Sequence, residues 1–141
     1  MENKINLTYT VDGNDYSAAG SASGDVKKKL RTLGVQHEII RKVAIAMYEG
    51  EINMVIHADG GVATVEISPE RIKIVLKDNG PGISDIDLAM KEGYSTASEE
   101  ARNLGFGAGM GLPNIKKYTD ELSIESKQGV GTTVTMIINC V

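Results

Sequence analysis

The fold is decided by residues 37–78, which read HEIIRKVAIAMYEGEINMVIHADGGVATVEISPERIKIVLKD. Apolar residues recur at helical spacing up to about residue 58, where two glycines end the pattern. Two segments that alternate apolar and polar residues come next, 62–68 and 71–77, joined by Ser-Pro-Glu. We therefore predict a long helix followed by an antiparallel hairpin. Gly50 interrupts the helix at a cost of about 1 kcal/mol relative to alanine, so we expect a neighbour to pack closely against it.

The rest of the chain adds three strands and three shorter helices to this unit. The strands are predicted at 5–11, 121–126 and 132–139, and the helices at 25–33, 85–91 and 112–118. Ser23 is the candidate N-cap of the first of these helices. The pattern predicts the α+β class: a two-layer α/β sandwich with one mixed, mostly antiparallel sheet and helices on one face. We expect a single domain over residues 1–141, because this length suffices for one hydrophobic core and not for two.

The composition narrows the classes of function. Hydrophobic residues make up 41% and charged residues 24% of the chain, as in an ordinary globular protein. Fifteen Lys and Arg against nineteen Asp and Glu give a net charge of −4, which argues against direct binding to nucleic acid. There is no apolar run of the roughly 18 residues that a membrane span needs and no signal-peptide pattern, so we expect a cytoplasmic protein. With one cysteine, Cys140, an internal disulfide is excluded.

Three polar residues, Glu49, Asn53 and His57, follow one another at intervals of four on the long helix. That spacing places them on one stripe. The functional interpretation is a carboxylate beside an amide oxygen that ligates a metal ion, both held rigidly by the helix. The alternative is a stripe that only assists solubility. For His57, a packed side chain or a favourable cation at the end of the helix is a better explanation than a metal ligand.

Asp78 closes the second strand of the hairpin. Ile72, Ile74 and Leu76 share one face of that strand, and the period of two puts Asp78 in phase with them. A carboxylate aimed at the interior needs hydrogen-bond donors, and the glycines at 80 and 82 let the backbone approach a flat ligand. The alternative is an Asp that only forms the turn before Asn-Gly.

A run of alternating glycines precedes the helix predicted at 112–118, reading GFGAGMGL over residues 105–112. Uncovered backbone N–H groups and a helix N-terminus together can hold phosphate oxygens. The run is neither a Walker A loop nor a dinucleotide-binding fingerprint. By itself it is equally compatible with a mobile loop.

In this order, the motifs resemble the N, G1, G2 and G3 boxes of the GHKL ATPase superfamily. The resemblance covers about residues 36–138 and rests on Glu49-x3-Asn53-x3-His57, Asp78-Asn-Gly80-Pro-Gly82, Gly107-x-Gly109-x-Gly111-Leu112 and Gly129-x-Gly131-Thr132. Within the superfamily the chain is most similar to the small bacterial anti-sigma-factor and switch-protein serine/threonine kinases, the RsbT, RsbW and SpoIIAB group. The resemblance implies the Bergerat-type ATP-binding fold.

The resemblance also implies a role for each matching residue. Glu49 would act as general base towards a Ser or Thr hydroxyl, or orient it, and Asn53 would ligate Mg²⁺. Asp78 would accept a hydrogen bond from the adenine amino group. The residues implied to bind ATP are Asn53, Asp78, Gly80, Gly82, Gly105, Gly107, Gly109, Gly111, Leu112, Thr132 and Thr133. The ATP lid would span about residues 92–110, and Arg102 and Lys116 are candidates for cations that face the phosphates.

The implied function is an ATP-dependent serine/threonine protein kinase of a bacterial partner-switching system. Its substrate would be a small STAS-domain antagonist of the anti-anti-sigma type, and a sigma factor or a phosphatase would be a further partner. Two alternatives stay open: a nucleotide-gated binding protein with little catalysis, and a stand-alone histidine-kinase-type catalytic module. Residues 1–35 match the group only in outline; they could build a homodimer interface or a partner surface.

Overall fold

A computed structural model describes residues 4–13, 19–57, 60–80, 111–127 and 129–141 of the chain. Its elements are β1 (Ile5–Asp12), α1 (Ser21–Thr32), α2 (His37–His57), β2 (Gly60–Ile67), β3 (Arg71–Asp78), α3 (Gly111–Tyr118), β4 (Glu121–Lys127) and β5 (Gly131–Asn139). All five predicted strands, the long helix and the helix predicted at 112–118 are confirmed, with ends that differ by at most two residues. The helix predicted at 85–91 lies outside the described residues.

The five described strands form one open sheet in the order β1-β2-β3-β5-β4. Every neighbouring pair in this sheet is antiparallel, so the predicted α+β class is confirmed and the described strands contain no parallel pairing. Because β5 lies between β3 and β4, the end of β3 meets the start of β5. Asp78 and Thr132 are therefore directly opposite each other.

The core lies between one face of the sheet and the three described helices. Side chains alternate along a strand, and the inward set is buried: Ala63 and Val65 in β2, Ile72, Ile74 and Leu76 in β3, and Met136 and Ile138 in β5. The helices cover this face with Val26 and Leu30 from α1, Val43 and Met47 from α2, and Ile115 from α3. The described helices thus lie on one face of the sheet, as predicted. None of them is long and apolar enough to cross a membrane.

Gly50 brings α2 close to the centre of the sheet. A Cβ atom at this position would lie 2.2 Å from Cδ1 of Leu76 and 2.9 Å from Cε of Met136. Both distances are shorter than real carbon contacts allow, so a side chain at this position would force the buried ends of Leu76 and Met136 to shift. The expectation that a neighbour packs closely against Gly50 is confirmed.

The start of α1 differs from the prediction. The helix begins at Ser21, four residues earlier than expected, after Gly20 in the left-handed conformation with φ 95°. Ser23 is not the N-cap: its hydroxyl lies inside the first turn and donates to the carbonyl oxygen of Gly20 at 3.1 Å. The acceptor for the free amides of α1 comes instead from α2, where the carboxylate of Glu51 accepts hydrogen bonds from three of them.

Candidate functional site

Glu49, the predicted general base, lies on the side of α2 that faces α3. Glu49 and Asn53 are one helical turn apart and are both half-buried, so they do not form a fully solvated stripe. Oε1 of Glu49 accepts a hydrogen bond from Nδ2 of Asn114 in α3 at 3.4 Å. Within the described residues Oε2 of Glu49 has no hydrogen-bond partner, which leaves one carboxylate oxygen available for chemistry.

Asp78 is half-buried at the end of β3, in phase with the buried residues of that strand. Its Oδ1 accepts hydrogen bonds from the backbone N–H of Gly80 at 2.9 Å and of Thr132 at 3.2 Å. Asp78 therefore forms the turn before Gly80 and also ties β3 to β5. No group in the described part of the chain donates to Oδ2, so a ligand can use this oxygen as an acceptor.

The two threonines at the start of β5 point to opposite faces of the sheet. Thr132 is 8% exposed, and its hydroxyl lies 2.9 Å from that of Ser126 in β4. Thr133 lies opposite Lys77 and Glu125, two exposed residues of the face without helices. Of the two, only Thr132 shares the face of Asp78, because side chains alternate along the strand.

Two glycines let neighbouring parts of the chain approach the end of β3 closely. A Cβ atom at Gly61 would lie 2.6 Å from Cε of Met54 and 3.0 Å from Cα of Asp78. At Gly131, which has φ 146°, a Cβ atom would lie 2.1 Å from the carbonyl oxygen of Asp78. Since Asn53 directly precedes Met54, the structure places the predicted metal ligand and the predicted adenine acceptor at the same end of the helix–sheet layer.

Other predicted site residues are described only in part or not at all. Several of them lie outside the described residues: Gly82, Gly105, Gly107, Gly109, Arg102 and the lid at 92–110. Gly111 is the first residue of α3, and Leu112 follows it in the helix. Lys116 is exposed on α3, and His57 is the last residue of α2.

Glu51 is a buried carboxylate with several hydrogen bonds that the sequence analysis did not single out. It is only 2% exposed, and its carboxylate accepts from the N–H groups of Gly20, Ala22 and Ser23 at 3.0–3.1 Å. Two residues beyond Glu49, it points roughly 200° away around the helix, towards α1. The sequence did contain a signal for its burial: Glu51 is four residues from both Met47 and Val55, which are buried on the same side of the helix.

A second polar group joins β1 to α1 on this side of the molecule. The Tyr9 hydroxyl donates to Oδ2 of Asp25 at 2.6 Å, and Nζ of Lys29 lies 2.5 Å from the same oxygen. Lys29 and then Tyr9 lower the pKa of Asp25 by hydrogen bonding, whereas burial and then Asp25 raise the pKa of Tyr9. Tyr9 and Asp25 border an open cleft of about 480 Å³ that Glu51 also lines.

Cys140 is partly buried near the end of the chain. Burial, and then the neighbouring Asp120 and Glu70, raise the pKa of its thiol. The thiolate is the reactive form of cysteine, so this environment gives no support for a nucleophile.

The chain matches a known family over most of its length. Residues 33–140 match the family described as histidine kinase-, DNA gyrase B- and HSP90-like ATPases. The serine/threonine-protein kinase RsbT of Bacillus subtilis is 34% identical over 100 residues, which cover 68% of this chain and 69% of RsbT. An anti-sigma F factor of Thermoanaerobacter is 38% identical over 104 residues, covering 70% of this chain and 69% of that protein.

A solved structure shows the same fold. The RsbU and RsbW domains of a Mycobacterium tuberculosis protein superpose with a TM-score of 0.65 at 18% identity. The superposition covers 95% of this chain and 32% of that one, so the chain spans about a third of that larger protein.

Proposed function

The chain belongs to the family of histidine kinase-, DNA gyrase B- and HSP90-like ATPases, and from that premise we propose that it is an ATP-dependent serine/threonine protein kinase. The proposed substrate is a small STAS-domain antagonist of a bacterial partner-switching system. The observation that carries the proposal is that Glu49 and Asn53, both half-buried, lie one turn apart on α2, and that the next residue, Met54, lies near Gly61 next to Asp78. The similarity to RsbT supports it.

In this proposal Asp78 recognises the base of ATP. Its Oδ1 is already engaged by the N–H groups of Gly80 and Thr132, and Oδ2 accepts from the adenine amino group. Thr132 and Gly82 shape the pocket around the base. The amides of Gly105, Gly107, Gly109 and Gly111 bind the phosphates, where the N-terminus of α3 adds its partial positive charge.

The donor set fits Mg²⁺ held jointly by the protein and the phosphates. Mg²⁺ prefers oxygen ligands and is usually bound through one or two protein groups together with substrate phosphates. The amide oxygen of Asn53 is such a ligand, and no three His, Cys, Asp or Glu side chains gather into a metal cluster in the described part of the chain. When bound, Mg²⁺ neutralises charge on the phosphates.

Glu49 accepts the proton of the acceptor hydroxyl. The Ser or Thr oxygen of the substrate protein forms a bond to the γ-phosphorus, the bond from that phosphorus to the bridging oxygen breaks, and ADP leaves. The hydroxyl proton passes to the carboxylate of Glu49. No covalent enzyme intermediate is needed, because phosphoryl transfer depends mostly on positioning and charge stabilisation.

The test is transfer from γ-labelled ATP with Mg²⁺ to a protein in a desalted extract of the source. We expect an acid-stable label with the wild type and a rate about 100- to 10,000-fold lower with Glu49→Gln. ATP binding by calorimetry should be kept in that variant. Glu38→Gln, in the exposed first turn of the same helix, is the matched control. Equal transfer by Glu49→Gln and wild type would overturn the assignment of Glu49.

A second candidate function is a nucleotide-gated binding protein, which the 38% identity to an anti-sigma F factor favours. Such a switch needs only a partner whose affinity differs between the ATP and ADP states. ATP binding without any labelled product would favour this candidate, and a partner that binds both states equally would exclude it. An acid-labile label would instead indicate a histidine-kinase-type module.

A further inference from the structure

The face between α2 and α3 carries a contact that the family assignment does not explain. The two helices pack antiparallel: Arg41 of α2 lies over the ring of Tyr118, 5.7 Å from its centroid, and two turns further along α2 Glu49 meets Asn114. Ile115, next to Asn114, is fully buried. Packing on both sides therefore fixes the orientation of α3 at the point where Asn114 reaches Glu49.

Asn114 touches the proposed general base through a donor. Its Nδ2 donates to Oε1 of Glu49 at 3.4 Å, and within the described residues Oε2 keeps no partner. A side-chain amide does not take up or release a proton near neutral pH, so it can orient a carboxylate without competing for the acceptor's proton.

We propose that Asn114 is a positioning residue: its side-chain amide holds one oxygen of Glu49 so that the other is presented to the acceptor hydroxyl. This inference rests on the proposed kinase function. It extends the site onto the first turn of α3, which begins at Gly111 at the end of the glycine run. Gly111, which is proposed to bind the phosphates, and Asn114, which orients the base, are then three residues apart on one helix.

The length of the hydrogen bond separates this role from a structural one. At 3.4 Å the contact is longer than the usual N–H···O hydrogen bond of about 2.7–3.2 Å and adds little to folding. Hydrogen bonds of catalytic groups are often long before substrate binds and shorten in the reactive complex. The effect of losing Asn114 should therefore appear in the turnover rate rather than in stability.

The experiment compares Asn114→Ala and Asn114→Asp with wild type in the labelled transfer assay, at saturating ATP and varied acceptor. We expect kcat to fall roughly 10-fold for Asn114→Ala and roughly 100-fold for Asn114→Asp, whose charge repels Glu49. In Asn114→Ala the KM for acceptor and the Kd for ATP should stay within about twofold of wild type. Asn114→Ser, which keeps a donor, should recover part of kcat. Lys117→Gln, on the exposed side of α3, is the matched control.

A double variant decides whether Asn114 acts through Glu49. In the Glu49→Gln background, Asn114→Ala should cause no further loss of kcat, because the group that it positions is gone. An equal further loss, or a raised KM with unchanged kcat, would overturn the positioning role while the kinase function stands. No transfer by the wild type would overturn the kinase function itself, and the role of Asn114 with it.

Discussion

At the scale of single residues, the proposed function gives the two oxygens of Asp78 different roles, and one substitution can distinguish these roles. Asp78→Asn keeps an oxygen that can accept from Gly80 and Thr132, as Oδ1 does now. Its NH₂ group would then face the adenine amino group, donor against donor. We expect the Kd for ATP to rise about 10- to 100-fold, the equivalent of one hydrogen bond to a charged group. Calorimetry with ATP measures this change.

Asp120→Asn is the matched control for that measurement. Oδ2 of Asp120 also accepts from a backbone N–H, that of Asn139 at 2.7 Å, but the residue is exposed next to β4 and away from Asp78. The Asp120→Asn variant should therefore bind ATP with the affinity of the wild type. Wild-type affinity in Asp78→Asn, or the same loss in both variants, would show that Asp78 does not recognise adenine.

The residues found from the sequence are those whose position depends on local periodicity. The period of two placed Asp78 on the inner face of β3, and the interval of four placed Glu49 and Asn53 on one side of α2. The role of Glu51 was not predicted, because the residues that donate hydrogen bonds to it are 28 to 31 positions away in the chain. The same period of two puts Thr132, and not Thr133, in phase with the buried Val134, Met136 and Ile138, a signal that the sequence analysis did not use; the pairing of β5 with β3 adds only that Thr132 lies opposite Asp78.

At the scale of elements, the depth at which α2 lies on the sheet depends on Gly50. In Gly50→Ala, the new methyl group would meet the tips of Leu76 and Met136. Overpacking of a core costs about 1–3 kcal/mol, more than the 0.5–1 kcal/mol or so that alanine gains over glycine in a helix. We expect a lower free energy of unfolding, measured by urea denaturation.

Gly24→Ala in α1 is the matched control, because no atom lies within 4 Å of a Cβ atom built there. Alanine should raise the free energy of unfolding at that position by about 0.5–1 kcal/mol. In a Leu76→Val background, which makes room, Gly50→Ala should cost less than in the wild type. We expect Gly50→Ala to lower the free energy of unfolding and Gly24→Ala to raise it. An increase in both variants would contradict this prediction.

The boundary of α1 shows why elements can be found more reliably than their ends. The sequence places a helix here, but its first turn depends on an acceptor for three amides, and that acceptor comes from α2. A cap supplied from another helix leaves no local pattern such as the one that Ser23 offered.

At the scale of the whole molecule, the sheet order joins parts that the sequence could only place separately. The hairpins β2–β3 and β4–β5 each follow from short connections and alternating residues. Their association through β3 and β5 is a long-range pairing. It is this pairing that places Thr132 against Asp78, so the candidate site exists only once the two hairpins have joined.

The dependence of global stability on pH should follow the contact between β1 and α1. The pKa of Asp25 is lowered in the folded state, so its contribution is present above the ordinary carboxyl value and is lost as the pH falls through the folded one. The pKa of Tyr9 is raised, so its contribution is present below about pH 10, the ordinary tyrosine value, and is lost at higher pH. Stability should therefore decline at both extremes of pH.

Urea denaturation across pH should show a smaller loss of stability at high pH in Tyr9→Phe than in the wild type. Tyr48→Phe is the matched control, because Tyr48 is 39% exposed, and it should keep the wild-type profile. An alkaline loss that is unchanged in Tyr9→Phe would show that the raised pKa of Tyr9 does not account for the loss of stability at high pH.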